Sequence, residues 1–374
     1  MSKETEIIFD NDASASSFGW NFQVNAGIFL FLHYLKEAKS IKIESKYEDV
    51  EICLKNKSKI YAQAKSAQNE CNNSSAKNKM KDAILSLGKV PVEENDVLIY
   101  ISNIREPIDG AGKFFENKIV KYEECLDSTK TEIDNCLLEV IETIEQKLKE
   151  DNLSKRKEGQ YRAVKKKLES LDIKKLEICS IYPYYGEEGN RYSEIRNKII
   201  DVLANDIKLD FFDVRYITQK LLEHWQLVFE HNSTIKDGSI KKKITKEDFI
   251  WPIAVFLSDI NDVEIDDCMS ITPDNSLKSE AQSYLNNSSN IYHERFEFVN
   301  KVLRTYENYK RTWSVKDGKT SVEKSFIKEE YKQFWEEYMD IEDEELREYI
   351  LKTNMYKIIM NNRKVSKISK EVNI

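Results

Sequence analysis

The first strong pattern is the apolar stretch FGWNFQVNAGIFLFLHYLKEA, from Phe18 to Ala38. In it Trp20, Val24, Ile28, Leu32 and Leu35 recur at helical spacing on one stripe, which predicts a buried helix. Gln23 lies on the edge of that stripe. It reads either as a partly exposed glutamine or as a group directed at an active face, and His33 reads as a helix-flank residue. The period then changes. SIKIES is a short alternating strand ending at Glu44, and DVEICL and KIYAQAK are two further β-like segments joined by the polar turn KNKS. A polar, helix-compatible segment follows over 70–83, closed by AILSLGK, and the apolar DVLIYISNI (Asp96 to Ile104) reads as a buried strand. Helix, three strands, helix, strand is the order of a mixed sheet flanked by helices, with the three-strand meander carrying a polar face.

Farther on, 114–171 is helical in pattern, with apolar positions at Cys136, Leu137, Val140, Ile141, Ile144 and Leu148. KLEICSIYPYY is another strand candidate, closing at Pro183 and the GEEGN turn. From Arg191 the reading is almost wholly helical, with Leu221, Leu222, Trp225 and Phe229 as core positions. Thr245 is a candidate N-cap with Asp248 three residues later, and Pro252 fits the first turn of that helix. The segment from Glu280 to Trp313 holds the longest later helix by pattern, with Phe296, Val299, Leu303 and Tyr306 on one face. The aromatic and acidic FWEEYMDIEDEELREYI then reads as interhelical packing or a partner surface, ahead of a basic tail around Arg363, Lys364, Lys367 and Lys370. Residues 1–17 are a polar lead-in.

Composition narrows this. A length of 374 residues suits two domains, with expected ranges 1–205 and 206–374. With only 10 Gly and 5 Pro, an all-β chain rich in turns is disfavoured. The net charge of −8 does not announce nucleic-acid binding, yet a local basic patch is compatible with it. That patch is the stretch around Arg156, Arg162, Lys165, Lys166 and Lys167, which reads either as a solvated helical face or as a phosphate-contacting one. Six cysteines without a CxxC pair read as reduced thiols. The most apolar run, AGIFLFLHYL, is too short to span a membrane, and a cytoplasmic protein is expected.

The chemistry concentrates between Glu44 and Lys65. Asp49 and Glu51 alternate on one strand, and Gln63 and Lys65 on the next, so each pair shares a face. An odd number of residues in the connecting loop sets Asp49 opposite Gln63 and unites the two pairs. A sheet face holding carboxylates, an amide and an ammonium is costly to bury without a purpose, and a solvated edge hairpin is the alternative reading.

At this stretch the chain resembles the PD-(D/E)XK nucleases, and more narrowly the double-stranded-DNA endonuclease domain of CBASS effectors and Lamassu-type anti-phage systems. The matching residues are Gly19, Trp20 and Gln23 of the GWNFQ helix start, Glu44, Asp49 of EDVE, and Gln63 and Lys65 of QAK, with IYPYYGEEGNRYSEI resembling the end of that domain. The resemblance covers roughly the first 200 residues. It implies an α/β, restriction-endonuclease-like mixed sheet with flanking helices, followed by an all-helical C-terminal domain for partner docking and regulation. The absence of a nucleotide-sensing pattern favours the Lamassu type.

By that resemblance Asp49 is the central ligand of Mg²⁺ or Mn²⁺. Gln63 coordinates through its side-chain carbonyl where many relatives have Glu, and the Ala64 carbonyl and Glu44 complete the set, with Glu51 and Gln23 as further candidates. Lys65 orients the attacking water and opposes charge building on the phosphate. The expected activity is metal-dependent DNA cleavage. The expected partners are double-stranded DNA, an SMC-like ATPase, an accessory subunit and, on activation, further copies of the chain. The rivals are a catalytically inactive binding or scaffold subunit on the same fold, and an RNase.

Overall fold

The computed structural model describes residues 17–67, 71–150, 153–181, 192–209, 211–235, 243–258, 274–287, 296–313 and 321–371. Its chain forms two compact units. The first comprises Met1–Ile199 and Leu222–Lys246, the second Ile200–Leu221 and Glu247–Ile374. The first unit therefore takes in Leu222–Lys246, which lies beyond the boundary expected at residue 205.

The first unit is built on one mixed sheet. Helix α1 (Ser17–His33) is followed by strands β1 (Ala38–Ile43), β2 (Val50–Leu54) and β3 (Lys59–Lys65), helix α2 (Asn73–Leu87) and β4 (Val97–Ser102). Two-residue β5 (Val120–Lys121), α3 (Asp127–Leu148), α4 (Lys155–Glu169), β6 (Leu176–Ser180) and α5 (Ser193–Asp201) come next. With β7 (Ile244–Thr245) the sheet has seven strands in the order β5-β6-β4-β3-β2-β1-β7. β3, β4 and β6 run parallel, and the remaining pairings are antiparallel. Apart from a 3₁₀ turn at Tyr122–Glu124, helix begins only at Asp127, so 114–126 departs from the helical pattern expected there; Val120 and Lys121 pair with Ile178 and Glu177 at the sheet edge instead. The IYPYYGEEGNRYSEI motif lies for the most part (182–191) outside the described residues.

The two faces of the sheet are covered differently. Ile41, Ile43, Val50, Ile52, Ile60, Ala62 and Ile99 are fully buried on the side that α1 covers. Helix α1 is buried nearly all round, from Val24 to Leu32, as a helix apolar on every side must be. Each such Leu, Ile or Phe contributes about 1.5–3 kcal/mol of transfer free energy. A Cβ on Gly27 would stand 2.6 Å from Ile43 Cδ1, so the missing side chain is what lets α1 lie this close to β1. On the opposite face Tyr61, Leu98, Tyr100, Leu176 and Ile178 pack against Met80, Ala83, Ile84 and Leu87 of α2 and against Ile133, Cys136, Val140 and Ile144 of α3.

The parallel pair β3–β4 is tied at both ends. Asp96, 4% exposed, accepts from the Lys59 N–H at 2.7 Å and the Glu93 N–H at 2.8 Å. Beyond the strands, the buried Asn103 amide clamps Ala67, with both its bonds at 2.7 Å. These bonds replace main-chain partners that the strands lose where they end.

Helix α6 (Phe211–Thr234) runs from the second unit into the first, and α7 (Lys246–Ser258) begins at their boundary. Pro252 lies well inside α7 rather than in its first turn, because the helix starts at Lys246, whose buried ammonium bonds the Lys36 carbonyl at 3.1 Å. The second unit has its own core from α8 (Asn275–Asn287), α9 (Phe296–Thr312), α10 (Val322–Glu330), a 3₁₀ run Tyr331–Tyr338 and α11 (Glu344–Glu371). Among the described residues the longest later helix is α11; of the segment expected to hold it, α8 and α9 are described, while 288–295 lie outside the described residues. Phe334 and Tyr338 are buried in this core, so the aromatic–acidic stretch packs between helices. The side chains of Arg363, Lys364 and Lys367 lie outside the described residues. No described helix is long and apolar enough to cross a membrane.

Candidate active site

The β2–β3 hairpin decides the site. Lys57 N–H donates to the Leu54 carbonyl at 3.1 Å, Leu54 N–H to the Ser58 carbonyl at 2.9 Å, and Lys57 holds φ +75°. This is a three-residue loop with its last residue left-handed, and it has the odd length that sets the register. Val50 stands opposite Ala62 and Glu51 opposite Tyr61, and the ladder continues to Asp49 beside Gln63. There Gln63 Nε2 donates to Asp49 Oδ2, and the Ala64 N–H donates to the same oxygen at 2.8 Å. Gln23 reaches the Asp49 carboxylate from α1 with a third bond. The half-buried Asp49 thus joins α1, β2 and β3.

Burial pushes the Asp49 carboxyl up to about 6, against the lowering influence of Lys65 and of the bonds from Ala64, Gln23 and Gln63. The carboxylate is short of positive charge. Lys65, two residues past Gln63 on the same face, is the cation nearest in its effect. Its strand exit is fixed by Asn103 and by Lys79, whose ammonium bonds the Ser66 carbonyl at 2.7 Å.

Glu44 follows β1 with φ +52° and donates its N–H to the Asp49 carbonyl at 2.8 Å, so Glu44, Asp49 and Gln63 form one row across three strands. Glu51 is directed elsewhere: 3% exposed, it pairs with Lys59 at 3.1 Å. In the basic stretch on α4, Arg162 pairs with Glu158 at 2.7 Å, Lys165 with Glu145 at 2.9 Å and Glu169 at 3.1 Å, and Lys167 bonds the Lys89 carbonyl at 2.6 Å. Arg156 and Lys166 are exposed. Of these five basic residues, Arg162 and Lys165 are ion-paired with neighbouring carboxylates.

One buried acid beside Asp49 in sequence escapes sequence pattern. Glu48, 5% exposed, sits on the turn before β2, where Ser45 Oγ receives its N–H at 3.1 Å and donates to its carbonyl at 3.1 Å. Burial pushes its carboxyl well above the usual range and Asp49 adds to the rise, while Lys65 and Lys89 act the other way. Strand alternation would send Glu48 and Asp49 to opposite faces, yet Glu48 is buried on this turn and feels the Asp49 charge. The only signal was its adjacency to Asp49.

Among the described residues no three Asp, Glu, His or Cys side chains converge to hold a metal ion. The oxygens that gather with Asp49 include amide oxygens. Gln23 Oε1 and Glu48 Oε1 are both buried and without a hydrogen-bond partner. Unsatisfied buried oxygens beside a desolvated carboxylate fit a hard cation, which takes oxygen ligands.

No family model matches the sequence, and no curated protein matches it. A solved structure, the SAVED/CARF-domain containing receptor Cap4 of Moraxella osloensis, overlaps 66% of this chain and 49% of its own at 14% identity, with a TM-score of 0.37. The chain thus spans about half the length of that receptor. At that TM-score the likeness defines neither fold nor activity.

Proposed function

We propose that this chain is a metal-dependent endonuclease of double-stranded DNA, built on a restriction-endonuclease-like PD-(D/E)XK sheet, and the effector subunit of a Lamassu-type anti-phage complex. The observation that carries the reading is the meeting of a desolvated Asp49 with Gln63 and Lys65 on one sheet face, in the residue types and order of the motif. The defence setting rests on the resemblance in sequence. Asp49, the Gln63 side-chain oxygen, the Ala64 carbonyl and Glu44 would hold Mg²⁺ or Mn²⁺. The ion supplies charge neutralisation at the phosphate and a water acidic enough to attack near neutral pH.

The protein's own groups do the rest. Turning over the Gln63 amide exchanges its N–H donor for an oxygen and sets two oxygens at one centre. Asp49 stays fixed through the Ala64 N–H. Lys65 presents an ammonium that orients the attacking water and opposes the charge growing on the phosphate. Constant cleavage would harm the host, so restraint by an SMC-like ATPase and an accessory subunit, docked on the C-terminal helices, and self-association on DNA supply the control.

Plasmid cleavage with Mg²⁺ is expected to fall at least about a hundredfold in Asp49→Ala and in Lys65→Ala, with circular dichroism unchanged. Full activity in both would sink the assignment. The scaffold reading draws on Gln63, which stands in an acid's place and donates to Asp49. Calorimetry separates the two, because a scaffold takes up neither Mg²⁺ nor Mn²⁺ while still binding DNA.

A further inference from the structure

Past Ile41 the outer edge of β1 changes partner. β7 pairs with Ser40 and Ile41 and, among the described residues, reaches no farther along β1. Two residues on, the Ile43 N–H donates to Asn232 Oδ1 at 3.0 Å, so a side chain stands where a strand would supply a carbonyl. Asn232 continues the inward stripe of α6 after Leu222, Trp225 and Phe229 and is itself 2% exposed. An amide in an apolar stripe is costly to bury unless it is bonded, and this one commits its oxygen to β1.

The residue after Ile43 is Glu44, at φ +52°. A left-handed backbone is strained for any residue but glycine, and it persists where the surroundings over-determine it. Three successive N–H groups do so. That of Glu44 donates to the Asp49 carbonyl at 2.8 Å and that of Ser45 to the Glu48 carbonyl at 3.0 Å. That of Ile43 is tied to α6, 189 residues away in sequence. The first two bonds belong to the turn itself. Asn232 alone of the three acceptors brings in a distant element.

We propose that Asn232 is a positioning residue for Glu44: its bond to the Ile43 N–H keeps Glu44 left-handed and so fixes where the glutamate side chain leaves the row it shares with Asp49 and Gln63. The role of Glu44 as a metal ligand is taken from the nuclease reading, and the first part of the test does without it. The full chain is melted in EDTA, followed by circular dichroism. Glu44→Gly is expected to raise Tm by about 2–4 °C by relieving the left-handed strain. In Asn232→Leu the same glycine gains clearly less, because Glu44 has already relaxed. Asn232→Asp, which keeps an oxygen for the Ile43 N–H, restores the gain. Gln226→Leu removes another bond of α6, the one its Nε2 donates to Asn25 Oδ1 at 2.9 Å, and leaves the gain whole. Asn232→Ala replaces the leucine variant should that one fail to fold.

The second part is calorimetric titration with Mn²⁺, where Asn232→Leu weakens uptake about tenfold or more and Gln226→Leu does not. Additive Tm shifts in the Glu44–Asn232 pair overturn the proposal, and so does Mn²⁺ uptake of equal affinity in the wild type and Asn232→Leu. Non-additive shifts with no Mn²⁺ uptake by the wild type keep Asn232 in its role and end the metal-dependent nuclease reading.

Discussion

Asp49 is held in an arrangement that works against the stability of the metal-free protein. Its folded value of about 6 lies above the usual carboxylate value of about 3.9, so the folded state binds the proton more tightly than the unfolded one. The stability that this proton confers is complete below the unfolded value and is lost as pH rises through 6. Asn at this position keeps an acceptor for the Ala64 N–H and removes the charge. Asp49→Asn is therefore expected to be more stable than the wild type by about 1–3 kcal/mol at pH 7–8 in EDTA, with the gap closing toward pH 4. Urea denaturation at several pH values checks it, and equal stability at pH 8 would show that the carboxylate is not desolvated. At this scale Asp49, Gln63 and Lys65 were legible because alternation by two is a local rule. Glu48 was not, since it is buried on the Ser45–Glu48 turn, where alternation does not apply.

The hairpin loop is the element on which the site depends. Lys57 occupies the left-handed region, which costs a non-glycine residue about 1–2 kcal/mol. Lys57→Gly is expected to stabilise the protein by about 0.5–1 kcal/mol and Lys57→Val to destabilise it by about 1–2 kcal/mol. Both should keep the wild-type cleavage rate, because the loop lies at the far end of the hairpin from Asp49. One residue inserted between Asn56 and Lys57 has the opposite profile. It shifts the pairing by one and turns Gln63 and Lys65 away from Asp49, or else forces a bulge, so cleavage falls to background. Full cleavage by the insertion variant would separate the activity from this register. The central elements followed from hydrophobic period. The segment 114–126 and the place of Pro252 did not, because a two-residue edge pairing and the anchoring of Lys246 are contacts between distant segments.

At the scale of the molecule, each unit carries its own apolar core. In the second, Lys352 is almost wholly buried, pairs with Glu348 at 2.6 Å and lies 4.0 Å from the centre of the Tyr331 ring. Removing the carboxylate takes away the acid that neutralises a buried charge, which costs about 3–5 kcal/mol, whereas an apolar replacement of the lysine avoids that cost. Calorimetry of Glu348→Ala is expected to show the second unit unfolding at a lower temperature while the transition of the first stays in place. Lys352→Met should leave both near their wild-type positions. A single transition that moves as a whole in Glu348→Ala would mean the units unfold together.

The sequence by itself determined the alternation that puts Asp49 with Glu51 and Gln63 with Lys65, the apolar period of α1, and the helical character of the C-terminal half. These are local properties, carried by spacing along one segment. Tertiary structure decided that Asp49 meets Gln63, because an odd loop with a left-handed residue closes the hairpin. It decided that Glu51 belongs to Lys59, and that Glu48 is buried on the turn before β2. Burial, charge balance and the approach of distant helices set those outcomes, and none of them is a property of a single segment.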